Sequence, residues 1–490
     1  MKKFSKVLSI LLSVVLVISS FYLLYQVIRL NVLPSKFLFP LTIGVVVLDA
    51  IFILLLVYFS KNVVSKIVCI VLTLFICVAS CMGGYYISKT QGALSNITNV
   101  AKHAKNTVSV IVKESSSIKD KSQLNGVSVG SLRLNEQGSK KTLKELSGEG
   151  IVLNQTEYDS MTALLEAFYN GDEDSIIINE SSRSQILDIE AYSNFDSNTR
   201  VVYQTSYKVK NNDSATSVSD ITSKPFNVLI SGSDTRGGFD ENGRSDVIMI
   251  ATVNPKTHTI LLTSVPRDFY VTTACDAGDG CMQGALDKIT HTGIHGTNTT
   301  KRTVEQLLGI EINYTFKVGF DTVTELVDVL GGVDVYVEPG YATTTSQFSV
   351  HEGVNHLNAE QALAFARERY SYTEGDRQRT KNQQQVLMGI VKEATKPSVI
   401  TNYAAIMDTM ANTFSTTMSN EEITDLIKYQ LNNNPTWKME QYMVDGTGDT
   451  LMCAELGDAA SVMVPDQSTV KMAKDKINAV LAGKSSEDVK

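Results

Sequence analysis

Three apolar runs open the chain, Val7 to Ile28, Phe37 to Phe59 and Ile67 to Ile87, and they constrain everything that follows. Each is about 20 residues, the length at which a helix crosses roughly 30 Å of hydrocarbon. A cleavable signal peptide would need a small-residue cleavage site after the first run; none is present, and two further runs follow. Lys2, Lys3 and Lys6 precede the first run, and Lys61 and Lys66 separate the second from the third. The loop between the first two runs carries only Arg29 and Lys36. Positive charge collects on the cytoplasmic side, so the N-terminus is expected inside and everything after about Ser88 outside the cell. Asp49 lies in mid-span, where a carboxylate is costly in lipid, and is expected to face a neighbouring helix or partner.

At 490 residues the chain is too long for one core. Its net charge of −8 excludes a bulk basic nucleic-acid binder but leaves room for a local basic pocket. Six cysteines are too few for a disulfide scaffold. Cys69, Cys77 and Cys81 fall in the third apolar run and read as small hydrophobes. Cys275 and Cys281 flank Asp-Ala-Gly-Asp-Gly; a short disulfide loop and free thiols are equally open. Zinc is not expected at these cysteines.

The pattern predicts three N-terminal transmembrane helices (1–88), a connector (89–104), a small accessory α/β domain (105–210), a linker (211–224), an α/β domain (225–397), a C-terminal helical extension (398–482) and a tail (483–490). In the accessory region, strand-like pieces at Val108 to Val112, Val127 to Val129 and Ser175 to Ile178 alternate with a helix over Asp159 to Tyr169. Beyond Phe226, runs at Val247 to Val253 and Thr259 to Val265, joined by Asn-Pro-Lys-Thr, read as a buried hairpin. Helices are expected over Lys301 to Leu308, Thr322 to Leu330, Ala359 to Ala366 and Asp376 to Lys396, with strands at Val333 to Val337 and Tyr442 to Val444. The fold class is α/β, a sheet covered by helices on both faces.

Arginine usage concentrates the chemistry. The chain holds 32 lysines and only 12 arginines, yet eight of the arginines fall between residues 236 and 379. Seven sit in four motifs: Gly232-Ser-Asp-Thr-Arg236; Arg244-Ser-Asp246; Pro266-Arg-Asp268; and Arg367-Glu-Arg369 followed by Asp376-Arg-Gln-Arg379. Solvated surface charge is the ordinary alternative. Against it, the motifs sit at strand ends, where α/β sheets gather ligands. Arg244/Asp246 and Arg367/Arg369 are i, i+2 pairs that share a side when extended, and Asp376, Arg379 and Gln383 share a helix face. Guanidinium also holds phosphate oxygens bidentately and keeps its charge. Converging arginines with two or three aspartates suit a pyrophosphate bridged by a hard divalent cation, with the helix starting near Asp376 adding its positive end.

These motifs, in this order after three spans, resemble the LytR-CpsA-Psr family, and the three-span arrangement with an extra domain is similar to its capsule-linked CpsA branch. The resemblance is strong from Phe226 to Lys396 and moderate over the spans and accessory region. It implies an α-β-α domain with a hydrophobic tunnel for a polyprenyl chain and a charged mouth for its pyrophosphate. Carried over by motif, Arg244, Arg267, Arg367, Arg369, Arg379 and Gln383 bind the pyrophosphate, with Lys288 at the entrance. Asp234 and Asp246 hold Mg2+ (or Mn2+), and Arg267 and Asp246 lie nearest the transfer chemistry. The family often has Arg-Gln-Gln where this chain has Asn382-Gln383-Gln384, which puts any role of position 382 in doubt. Val386, Leu387, Ile390 and Val391 continue the helix that carries Arg379 and suit a tunnel wall, although each alone is equally suited to core packing.

The implied activity is a phosphotransferase that moves a glycopolymer, capsular or teichoic-acid-like, from a polyprenyl-pyrophosphate carrier to cell-wall peptidoglycan. Its expected partners are the lipid, the glycopolymer donor, the peptidoglycan acceptor and other capsule-assembly proteins. Two alternatives stand beside it: a membrane regulator of capsule biosynthesis, and a non-catalytic lipid-binding subunit of the assembly machinery. Direct DNA reading by the large domain is not expected, since topology places it outside and it has no basic helix-turn-helix. His291, His295, His351 and His356 lie outside the arginine motifs and receive no role.

Overall fold

The computed structural model describes residues 2–59, 62–98, 103–233, 241–276, 281–396, 399–411 and 414–490. The chain divides into two compact bodies, residues 1–98 with 390–412 and 419–436, and residues 99–389 with 413–418 and 437–490.

The first body holds three helices long and apolar enough to cross a membrane, Lys6–Leu30, Ser35–Phe59 and Val63–Thr98. Asp49 is buried, and Ser20 on the first helix donates to its carboxylate at 2.9 Å, so the mid-span charge is met by a neighbouring helix. The third helix runs eleven residues past the apolar run, to Thr98, through most of the stretch read as a connector at 89–104. Ala93, Leu94 and Ile97 supply the reason: they form a short apolar helix face and are buried.

The second body contains two mixed sheets. The smaller has the order Asn154–Tyr158, Ser128–Leu132, Ser175–Asn179, His103–Lys113, Thr199–Lys210; its first two pairings are parallel and its last two antiparallel. Helix Met161–Asn170 packs its Leu164, Leu165 and Phe168 against this sheet. Ser160 caps it by accepting from the Ala163 amide, and Gly171, at φ 90°, ends it.

The larger sheet has the order Phe414–Thr416, Tyr314–Gly319, Phe226–Ser233, Ser245–Asn254, Thr259–Val265, Lys438–Met443. Its central strands are buried along nearly their whole length, as strands covered on two faces must be. On one face, Val304 and Leu308 of helix Thr297–Leu308 and Val470, Ala473 and Ile477 of helix Gln467–Leu481 pack against Leu229, Ile250 and Leu261. Helix Asp376–Ala394 is fastened to the sheet by Gln384, whose amide donates to the carbonyls of Leu262 at 3.3 Å and Tyr442 at 2.8 Å. Gly389 lets the same helix approach strand Val333–Val337, because a Cβ there would lie 2.7 Å from the Asp334 carbonyl oxygen.

The segment 398–482, read as a helical extension, supplies both edge strands of the larger sheet and a hairpin, Gly446–Cys453 with Asp458–Pro465, as well as helices. Cys453, Leu456 and Val462 of that hairpin lie in one core with Leu164, Phe168, Ile176 and Ile178, so the hairpin completes the core of the smaller sheet. The stretch after Lys210 is irregular but tied down: the Thr216 amide donates to Asn313 O at 2.8 Å and the Val218 amide to the Tyr314 hydroxyl at 3.1 Å. Cys275 and Cys281 are joined as a disulfide.

Candidate active site

The site grows from the hairpin of the larger sheet. Strands Ser245–Asn254 and Thr259–Val265 are antiparallel with Ile248 opposite Val265. Continuing that register by two positions sets Asp246 across from Arg267, and the two meet, Arg267 Nη1 to Asp246 Oδ1, at 3.1 Å. Arg244, two residues before Asp246 and on the same side, brings Nη2 to 3.7 Å from Asp246 Oδ2. Thr290, in the turn Ile289–His295, donates to Asp246 Oδ1 at 3.2 Å.

Arg267 also faces Asp268, at 3.7 Å from Nε, and Lys288 Nζ reaches the other Asp268 oxygen at 3.3 Å. Arg379 pairs with Asp376 one turn earlier on its helix. Arg244 makes its shortest contact with Asp188, the last residue of helix Arg183–Asp188 in the accessory region. Of the expected residues, the structure thus links Arg244, Asp246, Arg267 and Lys288 by ion pairs, adds Asp188, Asp268 and Thr290 to them, and sets the Arg379–Asp376 pair within electrostatic reach of Arg267 and Asp246.

Burial governs the electrostatics. It disfavours the charged form of Arg267, yet Asp246, Asp268, Asp376 and Asp188 outweigh it and hold that guanidinium above the ordinary arginine range. In Arg379, burial with repulsion from Arg267 and Arg369 outweighs attraction by Asp376 and Asp246, and the shift is downward. These mutual influences place Arg369 within electrostatic reach of Arg379. The Nε atoms of Arg244, Arg267 and Arg379 are all buried without a hydrogen-bond partner. An unmet buried donor costs about 1–3 kcal/mol, more when charged, so three in one network mark a place short of acceptors.

The remaining expected residues stand differently. Arg367 ends helix Ala359–Arg367 and is exposed. Arg369 Nη2 donates to the Tyr370 hydroxyl at 2.5 Å, and its guanidinium lies 4.6 Å from that ring's centre. Gln383 is half-buried, one turn beyond Arg379 on the same helix face. Asp234 lies outside the described residues, as does Arg236. Val386 and Ile390 are buried and Leu387 and Val391 half-buried.

Asn382, the departure from the family pattern, is 1% exposed: it donates to Phe365 O at 3.1 Å and accepts from Gln378 at 2.9 Å. It therefore ties helix Asp376–Ala394 to the helix that ends at Arg367, a positioning task that a neutral amide performs. His291 pairs with Asp287 at 2.7 Å and His295 with Glu455 at 2.9 Å, outside the arginine network.

Among the described residues no group of three or more acidic, His or Cys side chains is arranged to hold a metal alone. Asp246 fits a cation differently. Its Oδ1 already accepts from Arg267 and Thr290, whereas Oδ2 has Arg244 only at 3.7 Å. One carboxylate oxygen with phosphate oxygens and water suits magnesium; among the described residues no cage of protein ligands alone is formed.

Comparison with known proteins follows the same outline. The family model described as LytR_cpsA_psr matches residues 191–479. A polyisoprenyl-teichoic acid–peptidoglycan teichoic acid transferase TagU of Bacillus cereus (strain AH820) is 31% identical over 243 residues, covering 49% of this chain and 77% of that relative. The TagU of Bacillus subtilis (strain 168) is 34% identical over 203 residues, covering 41% of this chain and 63% of the relative. Among solved structures, protein gbs0355 from Streptococcus agalactiae aligns with TM-score 0.45 and 25% identity over 54% of this chain and 89% of that one. The crystal structure of B. subtilis TagU aligns with TM-score 0.41 and 28% identity over 53% and 97%. With the family model spanning more than half of its length, the chain belongs to the LytR-CpsA-Psr family.

Proposed function

We propose that this chain is a membrane-anchored phosphotransferase, its large body outside the cell, that moves a glycopolymer from a polyprenyl-pyrophosphate carrier to cell-wall peptidoglycan. The names of the relatives support the reaction class. The observation that carries the reading is the network of Arg244, Arg267 and Arg379 around Asp246, with three buried Nε donors lacking acceptors. A pyrophosphate supplies acceptors and negative charge together.

The chemistry balances without a redox partner. An acceptor hydroxyl oxygen attacks the phosphorus that bears the glycopolymer, a new P–O bond forms, and the P–O bond to the polyprenyl phosphate breaks. The leaving group carries the electron pair, and the hydroxyl proton passes to solvent. The Asp246 carboxylate is engaged by two arginines and Thr290 rather than set to take the hydroxyl proton. Catalysis therefore rests on positioning and on neutralising the departing phosphate, the usual needs of phosphoryl transfer. Arg267 and Arg379 hold the phosphates, Arg369 and Lys288 flank them, and Arg367 and Gln383 complete the binding face. Asp246 would hold magnesium together with the phosphates, and the cation would supply positive charge that offsets repulsion between donor and carboxylate. A capsular polysaccharide and a teichoic-acid-like polymer are the glycopolymer classes that fit this reading, and other capsule-assembly proteins are its protein partners.

Calorimetry with a short polyprenyl pyrophosphate tests the site. Magnesium should bind weakly to the empty protein and tightly in the lipid's presence, since each completes the other's shell. Asp246→Ala should abolish that coupling and leave prenyl-chain binding through apolar contacts. If chelator changes neither binding nor transfer, Asp246 merely orients arginines. Reporter fusions after Thr98 test the sidedness, and a cytoplasmic signal there would overturn the extracellular placement.

A further inference from the structure

Arg244 is the most enclosed arginine of the network, with its side chain 7% exposed, and its nearest anion comes from outside the catalytic-type region. Asp188 ends helix Arg183–Asp188 and precedes the residues matched by the family model, 191–479. The contact therefore joins a side chain of the accessory region to the arginine network. We infer that Asp188 is an exchangeable counter-ion: before substrate arrives its carboxylate holds the place on Arg244 that a phosphate oxygen takes, and it yields that place when the pyrophosphate binds.

The inference rests on the pyrophosphate reading above and adds a regulatory residue to it. Within the network, Arg244, Arg267, Arg379 and Lys288 are paired with Asp188, Asp246, Asp268 and Asp376. These cations and anions are equal in number, so the paired groups are neutral before any ligand. A pyrophosphate brings at least two negative charges, and like charges within a few ångströms repel strongly in a half-buried site. A carboxylate that leaves the network relieves this.

Exposure decides which one leaves. The side chains of Asp246, Asp376 and Asp268 are 10%, 31% and 33% exposed, whereas that of Asp188 is 54% exposed. Asp246 is further held by Arg267 and Thr290, and Asp268 by Lys288. Asp188 alone of the four is more than half hydrated already, so turning its carboxylate into water costs least. Its side chain is also the last on its helix, where a rotamer change disturbs no following turn. Gln185, three residues earlier and on the same helix face, is 3% exposed, and neither end of its carboxamide has a hydrogen-bond partner.

The sign of the effect separates this role from a structural one. A residue that orients Arg244 weakens anion binding when it is lost; a competing anion strengthens it. The test is calorimetry of the full-length protein in detergent with inorganic pyrophosphate, run once with magnesium and once with a chelator. Asp188→Asn, close to isosteric, should bind pyrophosphate roughly three- to tenfold more tightly than the wild type, and Asp188→Glu should stay near it. Glu190→Gln removes an exposed carboxylate two residues away and controls for general charge. Equal or weaker pyrophosphate binding by Asp188→Asn, or the same gain from Glu190→Gln, overturns the inference while leaving the site intact. Failure of the wild type to bind pyrophosphate, or full binding by Arg267→Ala, removes the site itself and the inference with it.

Discussion

Arg267 touches Asp246 through one nitrogen, faces Asp268 with another, and remains charged against burial because four carboxylates surround it. If it grips a phosphate with its fork, Arg267→Lys should impair substrate binding almost as much as Arg267→Ala, because an ammonium is a single point charge. Each should lose roughly 1.5–3 kcal/mol of binding to a short polyprenyl pyrophosphate by calorimetry; full retention by the lysine variant would leave a charge requirement and no fork. That Asp246 and Arg267 lie at one end of a hairpin was legible in the sequence, because two apolar runs flank the turn and the motifs sit at their far ends; the register that pairs them comes from the structure. Asp188 was not legible. It lies 56 residues before Arg244, in no motif, and only the third dimension brings them together. Thr290 hid in the Asp-Lys-Ile-Thr-His stretch because a hydroxyl carries no pattern, and Asn382 showed itself only as a departure.

Elements with strong periodicity were readable. Helix Asp376–Ala394 and strands Ser245–Asn254 and Thr259–Val265 agree with expectation to within about three residues, because one-sided helices and fully buried strands announce themselves. The hairpin Gly446–Pro465 did not. Its Thr-Gly-Asp-Thr start is polar, and the apolar residues it carries complete a core built almost 300 residues earlier in the chain. The hairpin turn is fixed by Gly457, at φ 63°, where a Cβ would stand 2.5 Å from the Asp159 carbonyl oxygen. Gly457→Ala should therefore cost about 1–3 kcal/mol through strain and clash, seen as a lowered melting temperature of the full-length protein. An unchanged melt would separate the hairpin tip from the accessory core.

At the scale of the molecule, sequence reading found the three apolar helices, the mixed α/β class and the arginine-rich sheet end, since hydropathy, period and composition each report one of these directly. It divided the rest too cleanly. The C-terminal segment supplies both edges of the larger sheet and part of the smaller sheet's core, which no local pattern encodes. The most direct measurement is transfer itself: the purified full-length protein, a polyprenyl-pyrophosphate-linked glycopolymer, a peptidoglycan acceptor and magnesium. The expected result is one polyprenyl phosphate released for each polymer joined to the acceptor, with the reaction lost in Arg267→Ala at an unchanged melting temperature. Tight binding of the lipid with no transfer by the wild type would contradict the phosphotransferase and leave a lipid-binding subunit.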